Sequence, residues 1–187
     1  MALKTFKSYT KSTRGTVLVD KKELWKGKPL KSLTVGSHST GGRNNLGRIT
    51  SRHKGAGHKQ KFRQIDFYRK KDDMKAKVIR IEYDPNRSAY VALIKYEDNV
   101  MNYIIAPNKI KKGDEIISGR NKKIEIGNCM PLSDIPTGTD IHNIELQPNS
   151  GAKLVRSAGA SAQISGNDDN YCIIKLNSGE IRKIINT

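Results

Sequence analysis

The chain has 187 residues and a formal net charge of +17 at pH 7, from 35 Lys and Arg against 18 Asp and Glu. This length suits one large domain or two small ones, and the charge exceeds the roughly 2–8 that keeps a small domain soluble. The excess favours a nucleic-acid partner over an anionic membrane or an acidic protein. Because no apolar run approaches the ~18 residues of a membrane span, no membrane partner is expected.

The positive charge is concentrated at the N-terminal end. Through Lys71 there are 19 Lys and Arg against 3 Asp and Glu, a net +16, whereas the chain from Asp72 onward has 16 against 15. Such an asymmetry is typical of a basic arm attached to a nearly neutral body. We therefore predict an extended basic RNA-binding arm over residues 1–71, its end entering the first folded unit.

Residues 41–63 of this arm contain five glycines, seven Lys and Arg and no acid. The segment has too little apolar surface to offset the entropy of ordering it alone, so we expect RNA to give it its shape. Its cations lie two to five residues apart, within reach of successive phosphates. The RNA contacts predicted for the arm are Lys28, Arg43, Asn44, Asn45, Arg48, Arg52, His53, Lys54, His58, Lys59, Lys61, Arg63 and Arg69.

Aromatic and histidine side chains allow more than one interpretation. Trp25 is either a stacking platform for a base or an anchor of the arm on the body. His53 and His58 are assigned to RNA rather than to zinc, because no Cys or carboxylate lies near them in the sequence to complete a ligand shell. His142, on an alternating segment, is interpreted as a structural histidine, with RNA contact as the alternative.

From residue 72 onward the sequence is typical of β-strands. β-branched and aromatic runs at 78–83, 90–96, 102–107 and 110–117 alternate with turn residues, which predicts an OB-fold barrel over residues 72–126. Shorter runs separated by turns predict an SH3-like barrel over residues 127–187, with Asn177-Ser178-Gly179 as a hairpin turn. The fold class is thus all-β: two small barrels and a basic arm, in which docking of the barrels should aid stability.

Two arginines outside the arm stand in positions suited to RNA. Arg87 follows Asp-Pro-Asn at a turn between two predicted strands, and Arg156 precedes the small residues 157–160. A guanidinium grips phosphate with two donors and also stacks on bases, so we predict RNA contacts for both.

Catalytic chemistry is not indicated. Cys129 and Cys172 are far apart and lie in apolar surroundings, so we interpret both as small core residues of a protein from a reducing compartment. We find no nucleophile–base pair or metal-ligand spacing, and we predict no cofactor and no enzymatic activity.

Several short motifs occur together in a characteristic order. The chain resembles the family of the universal second protein of the large ribosomal subunit, in its bacterial and organellar form. The residues that carry the likeness are 26–29, 41–45, 47–50, 52–53, 57–60, 83–89, 135–136, 141–143 and 156–159.

The resemblance implies an OB-fold followed by an SH3-like barrel, with the arm threading large-subunit ribosomal RNA and with Arg87 and Arg156 at RNA-contacting positions. It also implies a structural ribosomal component that supports subunit assembly and translation beside neighbouring ribosomal proteins. The alternative is a free single-stranded RNA-binding OB-fold module outside the ribosome.

The sequence departs from this family at its C-terminal end. Members continue into a Gly-, Arg- and His-rich tail, and we expect a separate chain, a truncation or a loss to explain its absence here. Lys outnumbers Arg 24 to 11, which suits an AT-rich genome. We therefore predict a mitochondrial ribosomal location, with the bacterial cytoplasm as the alternative.

Overall fold

The computed structural model describes residues 3–37, 39–55, 57–168 and 170–186. In this part of the chain the regular structure is β, apart from single 3-10 turns at Lys31–Leu33 and Leu132–Asp134. The strands are β1 (Leu3–Thr5), β2 (Val17–Val19), β3 (Thr34–Ser37), β4 (Gln60–Arg63), β5 (Ala76–Glu82), β6 (Val91–Tyr96), β7 (Met101–Ile105), β8 (Glu115–Ile116), β9 (Asp140–Ile141), β10 (Ala162–Asn167), β11 (Tyr171–Leu176) and β12 (Ile181–Ile185).

The first barrel is an antiparallel sheet in the order β7-β6-β5-β8. β5 is interrupted by a bulge between Val78 and Arg80, which bends the strand so that it pairs with β6 along its length and with β8 at its start. Arm residues extend the sheet, because Trp25 bridges Glu82 and Ile65 bridges Tyr103, both in parallel.

Strand β6 is buried on both faces. Ala92, Ile94 and Tyr96 belong to the barrel interior. Val91 and Leu93 point the other way and, with Tyr103, are covered by three apolar residues of the arm, Leu30, Leu33 and Ile65. The arm therefore differs from a uniformly extended leader: the segments on either side of its glycine-rich stretch pack on the barrel because they contain the apolar residues that this stretch lacks.

The second barrel is an antiparallel sheet in the order β12-β11-β10-β9. Its core consists of Ile144, Ala162, Ile164, Cys172, Ile174 and Ile184. The predicted hairpin turn is confirmed: β11 pairs with β12, and Gly179 adopts a φ of 88° while its N–H donates to the carbonyl of Leu176 at 2.9 Å. After β9 ends at Ile141, residues 142–146 continue outside any strand, and only an isolated bridge joins Ile144 to Leu154.

The two barrels touch through specific hydrogen bonds. The Ala152 N–H donates to the Phe67 carbonyl at 3.0 Å, and the Ala158 N–H donates to Ser88 Oγ at 3.1 Å. The ring of Tyr68 covers Gly151, where an added Cβ would lie 3.2 Å from Tyr68 Cε1. These contacts fix the second barrel against the arm's end and against the turn after β5.

Both cysteines are free, and they differ in environment. Cys172 is fully buried, as predicted, whereas Cys129 is exposed. The prediction of a core position for Cys129 is wrong, because that residue lies in the connection between the barrels, where its backbone pairs with Ser118. The described residues contain no helix that is both long enough and apolar enough to cross a membrane.

Candidate RNA interface

The glycine-rich basic segment forms most of the loop between β3 and β4 (residues 38–59), and part of that loop has a defined shape. The N–H groups of Thr50 and Ser51 both donate to the Gly42 carbonyl, at 3.0 and 3.1 Å. Asn44 closes the tip of the loop, because its Oδ1 accepts from the N–H groups of Leu46 and Arg48 at 3.0 and 2.9 Å. Backbone and Asn44 hydrogen bonds thus replace an apolar core in this loop.

Glycine is required at position 42. Its φ is 76°, and a Cβ there would lie 2.2 Å from the carbonyl oxygen of Ser51. Gly47 has the same φ but open space around it. The close backbone approach at Gly42 draws the loop into a compact turn and leaves the long cationic side chains outside.

The loop presents positive charge without compensation. From Leu24 to Ile65 the sequence has no acidic residue, and among the described residues of that segment only Arg63 forms an ion pair. Like charges on neighbouring side chains repel one another, so this surface favours a polyanion.

Most of the predicted RNA-contacting residues have exposed side chains. The exposed residues are Lys28, Arg43, Asn44, Asn45, Arg48, Arg52, His53, Lys54, His58, Lys59, Lys61 and Arg156. All but the last lie on the arm, and ten of those eleven lie between residues 43 and 61. Arg63, Arg69 and Arg87 are placed differently.

Arg63 points into the protein instead of toward solvent. Its side chain is 9% exposed and pairs with two buried carboxylates: Nε lies 3.6 Å from Glu82 Oε2, and Nη1 lies 3.4 Å from Asp84 Oδ1. This guanidinium is committed to the fold, because moving it to RNA would leave both carboxylates buried without their partner. The prediction of RNA contact at Arg63 does not match this geometry.

Arg69 lies at the junction of the barrels. Its Nε donates to Ser118 Oγ at 3.2 Å and its Nη1 to the Gly127 carbonyl at 3.3 Å. Its side chain also contributes, after burial, to lowering the pKa of His142 from the ordinary 6.5. His142 is half-buried, as a structural histidine would be.

Arg87 is half-buried, and one edge of its guanidinium is fixed. Its Nε donates to Asp84 Oδ2 at 2.6 Å, and the ring of Phe62 lies 5.7 Å from the guanidinium carbon. Among the described residues neither Nη atom of Arg87 donates a hydrogen bond, and only Nε does so. The N–H groups of both terminal nitrogens are therefore left for a phosphate.

Arg156 stacks on an aromatic ring and lies on a loop that touches the Arg87 turn. Its guanidinium carbon is 4.0 Å from the centre of the Phe67 ring. The turn and the loop meet where Ala158 donates to Ser88. The structure thus brings together two arginines that are 69 positions apart in the sequence, each backed by a phenylalanine of the arm.

The sequence did not indicate that Phe62 and Phe67 belong to the interface. Each is near its arginine only in the fold, so no local pattern identifies it. The backbone N–H of Trp25 donates to the Ile81 carbonyl at 2.8 Å, which anchors this part of the arm on the first barrel. Trp25 is 49% exposed and its ring centre lies 4.8 Å from the Arg80 guanidinium, so the ring is also accessible to a base.

Two β-barrels carry a glycine-rich loop whose described cations form no ion pair, and two arginines lie near phenylalanine rings where the barrels meet. These features define a basic all-β nucleic-acid-binding protein. Residues 30–118 match the family described as "Ribosomal Proteins L2, RNA binding N-terminal domain". Residues 125–187 match "Ribosomal Proteins L2, C-terminal domain". The chain belongs to the L2 family of ribosomal proteins, and the resemblance noted in the sequence is confirmed, as are the OB-fold and the SH3-like barrel.

Bacterial relatives support the same assignment over nearly the whole chain. Proteins named "Large ribosomal subunit protein uL2" are 60% identical in Pelagibacter ubique, 59% in Granulibacter bethesdensis and 56% in Rickettsia felis. Each match covers 98% of this chain and 66%, 67% and 67% of the respective relative. The chain therefore spans about two thirds of the length of these relatives.

Proposed function

We propose that this chain is a structural component of the large ribosomal subunit that binds large-subunit ribosomal RNA and supports assembly and translation. The observation that carries the proposal is the exposed charge of the β3–β4 loop, whose described cations form no ion pair, together with the contact between the Arg87 turn and the Arg156 loop. The loop neutralises phosphates, and the stacked guanidiniums hold RNA where the barrels meet. The role is structural rather than enzymatic, and neighbouring ribosomal proteins are the expected protein partners.

The free single-stranded RNA-binding module is less well supported by the geometry. Such a module stacks bases on aromatic side chains exposed on the sheet. On strands β5, β6 and β7 the aromatic residues are Tyr96 and Tyr103, and both are buried. Leu30, Leu33 and Ile65 also cover the outer face of β6. The sheet surface that would bind bases is occupied by the chain itself.

Equilibrium binding to purified large-subunit ribosomal RNA tests the proposal, with small-subunit ribosomal RNA as competitor. Arg48→Ala and Arg156→Ala should each weaken binding by about 1–3 kcal/mol, and each should make the slope of log K against log salt shallower by about 0.7–0.9. Lys175→Ala removes an exposed cation from the second barrel and serves as the matched control. A binding constant that does not change with salt concentration, or an equal loss of affinity in all three variants, would contradict the proposal.

We also propose that the ribosome concerned is mitochondrial, with a bacterial ribosome as the alternative. The preference for Lys over Arg supports the first, whereas the bacterial relatives fit the second. Co-sedimentation with large subunits from purified mitochondria is the expected result, and its absence there would favour the bacterial ribosome. Mass spectrometry of those subunits also tests the prediction of a separate chain that carries a C-terminal tail.

A further inference from the structure

We propose that Asp84 is a positioning residue that aims the Arg87 guanidinium at RNA, with Arg63 as its fixed counter-charge. This inference rests on the proposed RNA-binding function. In it, the buried Asp84 carboxylate fixes the orientation in which the Arg87 guanidinium contacts RNA.

Asp84 is fully buried and shares its two oxygens between different groups. Oδ1 accepts from the Asn86 N–H at 2.9 Å, from Asn86 Nδ2 at 3.0 Å and from Arg63 Nη1 at 3.4 Å. Oδ2 accepts from Arg87 Nε at 2.6 Å. Because the turn and β4 fix one oxygen, the other presents a fixed acceptor to Arg87.

The hydrogen bond from Arg87 to Asp84 restricts the orientation of the Arg87 guanidinium. A guanidinium is planar, so a hydrogen bond at Nε, together with the Phe62 ring near its face, restricts how the plane can turn. The side chain is only 18% exposed, and the terminal nitrogens are the donors left for solvent. In this orientation they form a fork that fits two oxygens of one phosphate.

The same network ties the Arg87 turn to the end of the basic loop. Asn86 Nδ2 donates to the Lys61 carbonyl at 2.8 Å while it also donates to Asp84. Lys61 and Arg63 are both on β4, which closes the loop. Lys61, at the end of the loop, is therefore held in a fixed spatial relation to the Arg87 turn.

The local charge balance explains why two buried acids are tolerated beside an anionic ligand. Arg63, Arg80 and Arg87 surround Glu82 and Asp84, which leaves one net positive charge. Arg63 faces the carboxylates from within the fold, whereas the side chains of Arg80 and Arg87 are partly exposed, at 20% and 18%. Arg87 can hence keep its bond to Asp84 and still present positive charge outward.

A double-mutant cycle on binding to large-subunit ribosomal RNA tests the inference. Asp84→Asn keeps the shape but removes the charge, and we expect it to weaken binding several-fold, while Arg87→Ala weakens it by roughly tenfold or more. The double variant should bind like Arg87→Ala alone, because Asp84 acts through Arg87. Asp114→Asn, in a turn away from the arm where its side chain accepts from the Lys111 N–H, is the matched control and should bind like the wild type.

Two results would overturn the inference. Additive losses in the double variant would mean that Asp84 supports the fold generally, and tighter binding by Asp84→Asn would mean that it merely offsets the charge of Arg87. If the wild type fails to bind ribosomal RNA, the proposed function itself fails, which is a distinct outcome.

A measurement on the free wild-type protein covers the case in which Asp84→Asn does not fold. The Nε–H group of Arg87 should exchange with solvent more slowly than that of Arg156, as read by NMR of the arginine side chains, and should keep its signal in the RNA complex. Equal exchange rates for the two arginines would overturn the inference without any variant.

Discussion

Replacing Arg63 by alanine should destabilise the first barrel and the attachment of β4 to it. The change leaves Glu82, whose side chain is 3% exposed, and Asp84, whose side chain is 0% exposed, without one of their cations. Removing one partner of a buried ion pair typically costs about 3–5 kcal/mol. Because Arg80 and Arg87 still pair with the same carboxylates, we expect a value near the lower end, about 3 kcal/mol.

Urea unfolding followed by fluorescence measures this effect directly, since Trp25 is the single tryptophan of the chain and bridges Glu82. The midpoint should fall while the slope m stays constant. Arg63→Met retains much of the side-chain volume, and its free energy of unfolding should fall nearly as far as that of Arg63→Ala. That result would assign the destabilisation to the lost charge. Arg48→Ala, on the exposed loop, should stay within about 0.5 kcal/mol of wild type.

The reasoning would be refuted by a loss below about 1 kcal/mol for Arg63→Ala, a value usual for an exposed ion pair. It would equally be refuted if Arg48→Ala were as destabilising, because the distinction between a buried and an exposed cation of the same arm would then have no energetic basis.

Two further predictions concern the loop and the junction of the barrels. Gly42→Ala should weaken RNA binding and raise amide exchange in the loop more than Gly47→Ala does. Both alanines must adopt a positive φ, which costs about 1–2 kcal/mol, but only the Cβ at position 42 would clash with the Ser51 carbonyl. Equal effects of the two substitutions would contradict the argument from this clash. Burial, aided by Arg69, lowers the pKa of His142, so the unfolded chain binds its proton more tightly and stability should fall as pH drops below about 6.5. His142→Gln should flatten that part of a stability–pH profile measured by thermal unfolding, and an unchanged profile would exclude His142 as the cause.

The sequence predicted those strands and turns that are determined by a few neighbouring residues. Strand β6 is an apolar run interrupted only by Lys95 and contains β-branched Val91 and Ile94 and aromatic Tyr96, and the β11–β12 turn carries a glycine where positive φ is needed. Both were predictable because strand propensity and turn chemistry act over a few residues.

The predictions differed from the structure where residues far apart in the sequence determine the position of a side chain. Arg63 has the same kind of sequence neighbours as the exposed cations of its segment, and only Glu82 and Asp84, about twenty positions later, draw it inward. The phenylalanines behind Arg87 and Arg156 are equally non-local. Charge patterning indicated a basic surface, but it could not show which cation neutralises a buried acid.

The hydrogen bond from the Leu30 N–H to Tyr103 Oη joins groups 73 residues apart, and it has a consequence for biosynthesis. A ribosome that adds about 5–20 residues per second needs roughly 4–15 s to make the intervening chain. Until β6 and β7 have been synthesised, Leu30 and Leu33 have no partner side chains to pack against. The basic arm is therefore translated before the part of the barrel to which it binds. Docking of this segment is a high-contact-order event, and it must follow translation of β7.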